Sequence, residues 1–181
     1  MRRRRTARRA AETLLLALLA ACAPHAPRPE PLPPSPGETA ATVPVPGAAG
    51  ASRAAELRVV DLARSVLHAP YRSSGSDRRG FDCSGLTAWV YGRSGTALPR
   101  TTSEQAHEGR WVALDELRPG DLVFFGRSRR SLSHVGIVVS EPQEPLTMIH
   151  ASSSQGVVQT VVLDSPYWLS RLQLGRRVLA G

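Results

Sequence analysis

Cys83 stands in the run Phe81-Asp82-Cys83-Ser84-Gly85-Leu86 and is the only cysteine downstream of Cys22. It has no intrachain disulfide partner in the domain that follows, and it falls where a Gly-containing loop gives way to a helix. The start of a helix favours negative charge through its unpaired N–H groups and dipole. A free thiol is only a few per cent thiolate at pH 7, with a pKa of about 8.5, so a nucleophilic cysteine needs a base or a favourable field. His134 and His150 supply imidazoles, which take and return protons near their usual pKa of about 6.5. A base of this kind must be held in one tautomer by a third group on its other nitrogen. A lone cysteine at a helix start with histidines further along is the pattern of a Cys-His hydrolase. The bland alternatives are a buried core cysteine and a histidine at a strand end. Zinc is not expected, because the paired C-x-x-C or H-x-x-x-H spacing is missing, and no cofactor is called for. His68 and His107 fall in expected helices and read as surface or satisfied side chains.

The elements that must position these groups are legible in the periodicity. Residues 54–68 carry apolar positions at helical spacing, with Leu57, Val60 and Leu67 on one side and Pro70 as a stop. Residues 83–93 form a second helix with Leu86, Trp89 and Val90 inward and Gly95 beyond its end. Thr101 with Glu104, or Thr102 with Gln105, fits a capping box that opens a short third helix. The period then turns strand-like: residues 121–125, 134–139, 147–150, 157–163 and 174–179 read as strands joined by turns rich in Gly, Pro and Ser. Helices first and strands later indicate an α+β domain, with N-terminal helices packed on an antiparallel sheet of about five strands. His134 opens one strand and His150 closes another. If these are antiparallel neighbours, both rings lie at one edge of the sheet, where the Cys83 helix can pack.

The N-terminal part is not expected to join that domain. Residues 1–21 carry six arginines, one glutamate and a short apolar run, well under the ~20 residues that span a bilayer. They read as a signal peptide. Leu19-Ala20-Ala21-Cys22 looks like a bacterial lipobox, in which Cys22 is lipidated and becomes the new N-terminus. Acyl chains contribute about 0.8 kcal/mol per buried CH₂, so several on one cysteine anchor durably. Ala23 in place of Asp after that cysteine points to the outer membrane, facing the periplasm. Residues 22–51 form a linker: from Ala23 to Gly50 there are nine prolines and almost no bulky apolar residues. Extended at ~3.1 Å per residue, it could hold a domain roughly 90 Å from its anchor. Residues 52–181 form one domain, of a size that can bury a core.

Of the formal charge of +8, the leader accounts for most, so the basic pI does not indicate nucleic-acid binding. Every one of the 23 basic residues is arginine. Arg78-Arg79 and Arg127, Arg129 and Arg130 make local basic patches, read as solvated loops or as attraction for anionic wall polymers.

From Pro70 to about Leu163 the chain resembles the NlpC/P60 family of cell-wall cysteine peptidases, a papain-like α+β group. The resemblance is carried by Pro70-Tyr71-Arg72, the run around Cys83, Leu98-Pro99-Arg100-Thr101, Pro119-Gly120-Asp121-Leu122-Val123-Phe124-Phe125, His134-Val135-Gly136-Ile137 and Met148-Ile149-His150-Ala151. It implies Cys83 as nucleophile, His134 as general base and then acid, and His150 as the group orienting His134. It implies substrate contacts at Tyr71, Asp82 and Ser84, with Arg100 and Ser133 on the pocket rim. Asp82 also has a structural reading, as acceptor at the helix start. The implied activity is a peptidoglycan endopeptidase that cuts an amide bond in a stem peptide or in a crosslink between stems, as a monomer without cofactor. One alternative is a non-catalytic wall-binding scaffold lipoprotein, and another is a related thiol amidase or transferase. The chain departs from the pattern at Ser73-Ser74-Gly75, where many relatives have an aromatic and two glycines. This puts the shape of the loop in question. No SH3-like or LysM wall-binding module is recognisable.

Overall fold

The computed structural model describes residues 48–179. The leader, Cys22 and most of the linker lie outside the described residues.

Helix α1 spans Ala48–Arg64, so it begins inside the expected linker and ends before His68. The alanine-rich run ahead of Leu57 has high helix propensity and carries the helix upstream of its apolar stripe. Val59, Val60 and Ala63 are buried on its inner side. The helix gives out early because the chain turns into the sheet. His68 adopts a left-handed φ of 68°, and its N–H bonds to the Val157 carbonyl at 2.8 Å.

Two short strands, β1 (Ser76–Asp77) and β2 (Gly80–Phe81), pair antiparallel and stiffen the loop that leads to α2, Cys83–Ser94. Asp82 caps α2, its carboxylate accepting from the Gly85 N–H at 2.7 Å. Gly95 ends the helix with φ 97°, the left-handed exit that glycine takes most readily. Gly85 is needed for close approach, because a Cβ there would lie 1.9 Å from the Gly75 carbonyl oxygen. The departure at Ser73-Ser74-Gly75 has a visible consequence: Ser74 holds a left-handed φ of 58°, a conformation that glycine enters without steric penalty. Helix α3, Thr102–Gln105, opens with a capping box between Thr101 and Glu104, the first of the two expected pairs. His107 lies past its end, in a turn, and not in a helix.

The remaining chain builds one six-stranded antiparallel sheet. Its strands are β3 (Arg110–Val112), β4 (Leu122–Ser128), β5 (Ser131–Val138), β6 (Thr147–Ser152), β7 (Gly156–Val161) and β8 (Leu172–Arg177), in the order β3-β8-β4-β5-β6-β7. The expected meander of about five strands is therefore one strand short. β3 is only three residues long and shows too little alternation to register. A short helix α4, Pro166–Leu169, lies between β7 and β8.

The sheet has two distinct faces. Val135, Ile137, Ile149 and Ala151 pack with residues of α1 and α2 in the main core. Val123, Phe125, Val138 and Met148 form a second cluster on the opposite face, joined by Trp168 of α4. At the strand ends a buried ion pair ties β8 to the start of β4. Arg177 donates to both Asp121 oxygens, at 2.8 and 2.7 Å. The second oxygen of Asp121 also accepts the Arg118 N–H of the preceding turn, at 3.0 Å.

Candidate active site

The face of the sheet turned away from α1 and α2 carries two imidazoles. β5 and β6 are antiparallel neighbours, with Ile137 opposite Ile149 and Val138 opposite Met148. Side chains two apart on a strand share a face, which puts His134 in line with Val138 and His150 in line with Met148. The two rings meet. His134 Nε2 lies 2.9 Å from His150 Nδ1, and the ring planes cross at 84°. The other nitrogen of His150, Nε2, lies 3.1 Å from Thr160 Oγ1. Thr160 sits on β7 opposite Met148, diagonal to His150.

The histidines are not at strand ends, as the sequence suggested. The β4–β5 hairpin runs on through register shifts to Ser131, which leaves His134 inside β5. β6 continues past His150 to Ser152, and His150 is 2% exposed.

Trp168 of α4 covers the pair. Its ring stacks on His134 at 4.7 Å and 28° and meets His150 edge-on at 5.0 Å. Sequence reasoning missed this residue by reading residues 164–173 as a connection. The signal was present in Ser165-Pro166: a serine that caps and a proline in the first turn mark a helix start, and Ser165 Oγ does accept the Trp168 N–H, at 3.4 Å. Thr160 carried no signal, since a threonine in a strand is ordinary.

Cys83 reaches the same place from the other side. It is the first residue of α2, where helix N–H groups lack intrahelical acceptors. Its Sγ lies 3.7 Å from the Thr102 hydroxyl of α3. Cys83 and His134 both line an open cavity of about 480 Å³, together with Tyr71, Ser133, Tyr167, Trp168 and residues 151–155. Of the expected contact residues, Tyr71 and Ser133 are in this lining. Asp82, Ser84 and Arg100 are not, and instead hold one another. Arg100 donates to both Asp82 oxygens, at 3.0 and 2.6 Å, and to the Ser84 hydroxyl at 3.0 Å. Among the described residues, no group of three or more His, Cys, Asp or Glu could hold a metal ion.

Burial governs the histidines. It pushes His134 down from 6.5 to about 3, with His150 adding to the shift, and lowers His150 to about 4. Both rings are therefore neutral at neutral pH, and the sign of the linkage follows. Unfolded histidines bind protons near 6.5, while the folded pair resists until the pH is far lower. Stability is full above about 6.5 and falls as pH drops toward the folded values, by at most about 1.4 kcal/mol per pH unit for each ring. Urea titrations at pH 7 and pH 5 should show wild type losing more stability than His134→Gln over that interval.

The family model described as the NlpC/P60 family matches residues 68–177. The chain belongs to the NlpC/P60 family. Among its relatives, one named murein DD-endopeptidase MepS/murein LD-carboxypeptidase, from Escherichia coli, is 38% identical over 124 residues, covering 68% of this chain and 63% of that protein. The probable endopeptidase NlpC of the same species is 42% identical over 121 residues, covering 65% of this chain and 75% of its own. A solved NlpC/P60 family protein from Bacillus cereus superposes with a TM-score of 0.64 at 28% identity, over 69% of this chain and 40% of that one. The peptidoglycan hydrolase RipB of Mycobacterium tuberculosis gives 0.60 at 27%, over 75% and 72%. The chain spans a little under two thirds of the length of the first of these relatives. The α+β, papain-like architecture expected from the sequence is the one observed.

Proposed function

We propose that this protein is a peptidoglycan endopeptidase that works through Cys83, His134 and His150. The observation that carries the reading is the joint placement of Cys83 and His134 on one open cavity, with His134 Nε2 engaged by His150. That engagement leaves His134 Nδ1 as the ring atom able to accept a proton. The thiol proton passes to Nδ1 as sulfur attacks the scissile carbonyl. The resulting oxyanion is held by N–H donors that include Cys83's own. His134 returns the proton to the departing amine nitrogen, and the C–N bond breaks. Water then gives a proton to His134 and attacks the thioester, and sulfur leaves and takes that proton back, which restores the thiol and the neutral ring. The relatives named endopeptidases and peptidoglycan hydrolases support the substrate class.

Tautomer logic extends to Thr160. For Nδ1 of His134 to be bare, its Nε2–H must donate to His150 Nδ1, and His150 Nε2–H must then donate to the Thr160 hydroxyl. If Thr160 donated instead, both rings would flip tautomer and Nδ1 would carry a proton. Thr160→Val removes the acceptor, worth about 1 kcal/mol as one neutral hydrogen bond. The expected result is a fall in kcat of roughly five- to tenfold with KM unchanged. Thr160→Ser should restore the rate.

The bond that best fits is a crosslink between stem peptides. Among the described residues no carboxylate lines the cavity. The one beside the nucleophile, Asp82, is engaged by Arg100 and the helix cap, so it is not free to receive an amine end. We place the protein in the cell envelope, lipid-anchored through Cys22 after removal of residues 1–21 and tethered by the proline-rich linker. The test is mass spectrometry of purified sacculi digested with the protein. Conversion of crosslinked dimers into monomeric stems is expected. Release of nothing by folded protein would sink the reading, and fragments cut within the stem would move the bond.

A further inference from the structure

Next to the catalytic cavity lies a second groove of about 470 Å³ with a different character. Its floor is apolar, made by Ala106, Leu132 and Leu174. Its rim carries Trp111, Arg129, Arg130 and Arg176, and no carboxylate lines it. Trp111 of β3 is 53% exposed, a large apolar ring left in water. It sits directly opposite Arg176 of β8, so the two side chains share a face of the sheet. Arg129 and Arg130 form the turn of the β4–β5 hairpin and are exposed. Among the described residues none of these three arginines enters a salt bridge. The Nε of Arg176 is buried without an acceptor among the described residues, while the rest of its side chain lines the groove.

The groove and the cavity share no lining residue, yet they touch along two elements. On β5, Leu132 lines the groove while the next residues, Ser133 and His134, line the cavity. On α3, Thr102 contacts the Cys83 sulfur while Ser103 lines the groove. A polymer reacting at Cys83 would reach the groove along α3, past Thr102 and Ser103. We infer that this groove is an anchoring site for the polymer whose bond is cut, taking the glycan strand and the free carboxylates of the stem peptides beside it. A sugar's C–H face would lie against Trp111, and carboxylates would meet the guanidinium forks. The inference rests on the peptidoglycan reading and adds a second point of contact to it, so the enzyme would hold polymer more tightly than an isolated peptide.

Binding and turnover separate the two claims. Full-length protein carrying Cys83→Ser is cosedimented with sacculi stripped of attached anionic polymers, at low and at moderate salt. Adding Arg129→Glu with Arg130→Glu, or Trp111→Ala, is expected to weaken binding at least tenfold, and the arginine pair should also flatten the salt dependence. Trp111→Phe should retain most of the binding. In the Cys83-containing protein the same changes should leave kcat/KM on a short crosslinked peptide without glycan within twofold of wild type. Equal weakening by Arg78→Glu with Arg79→Glu, which lies outside the groove, would reduce the effect to net charge and overturn the inference. Unchanged binding would overturn it as well, and so would binding seen only with unstripped sacculi. Failure of wild type to cut the short peptide would strike the proposed activity and leave the binding result standing.

Discussion

Cys83→Ser is expected to lower release of fragments from sacculi by about 10⁴-fold or more, the scale seen when a covalent nucleophile is removed. The substitution changes one atom in a half-buried position and leaves the Asp82 cap, the Gly85 approach and the Thr102 contact in place. The folded state should be nearly unaltered, as circular dichroism and the urea midpoint will report. A serine hydroxyl is far harder to deprotonate, and a neutral, buried His134 is a weak base for it. His134→Ala should cost a comparable amount, because no other imidazole among the described residues lines the cavity. The double variant should be hardly worse than either single one, since residues that act as a unit are strongly non-additive. Rates within tenfold of wild type for Cys83→Ser would mean that the sulfur does not form the acyl intermediate.

Asp121→Ala should produce the largest loss of stability of any single change considered, about 3–5 kcal/mol. Asp121 is 1% exposed and Arg177 9% exposed, and the carboxylate holds the Nε and one terminal nitrogen of its partner as well as the turn N–H of Arg118. Removing it strands a buried guanidinium that keeps its charge, since the pair raises an already high pKa. Replacing both partners by apolar residues of similar shape, Asp121→Leu with Arg177→Met, should recover much of the loss, because a buried pair is worth far less than the penalty for breaking it. Guanidinium unfolding of the three proteins measures the cycle. A double variant as unstable as Asp121→Ala alone would show that the packing of this corner, and not charge, sets the cost.

Cys83 and His134, which the structure brings to one cavity, stood out in the sequence for a physical reason. A free thiol at a helix start and a histidine in an apolar strand are each costly to keep, so their residue types stand out. The second helix was readable almost to the residue because Asp82 and Gly95 mark its two ends by cap chemistry. The first helix was misplaced at both ends, because propensity extended it upstream and a tertiary contact of His68 with β7 cut it short. β3 escaped notice because three residues carry no period. The positions of Thr160 and Trp168 depend on strand register and on a chain reversal, neither of which is written locally. The residues expected to contact substrate separate in space for a similar reason. Tyr71 and Ser133 line the cavity, but only the three-dimensional arrangement reveals that Arg100 engages Asp82 and Ser84.

The stacking of Trp168 on His134 also gives the protein a built-in optical reporter. Of the three tryptophans, only this indole touches an imidazole; Trp89 faces Phe81, and Trp111 stands in solvent on an edge strand. Protonated imidazole quenches indole emission, so the fluorescence of a variant keeping Trp168 as its sole indole would track the charge state of His134 in real time. Under the proposed mechanism, a proton passed from sulfur to ring would then register as a dip in light, without any attached dye.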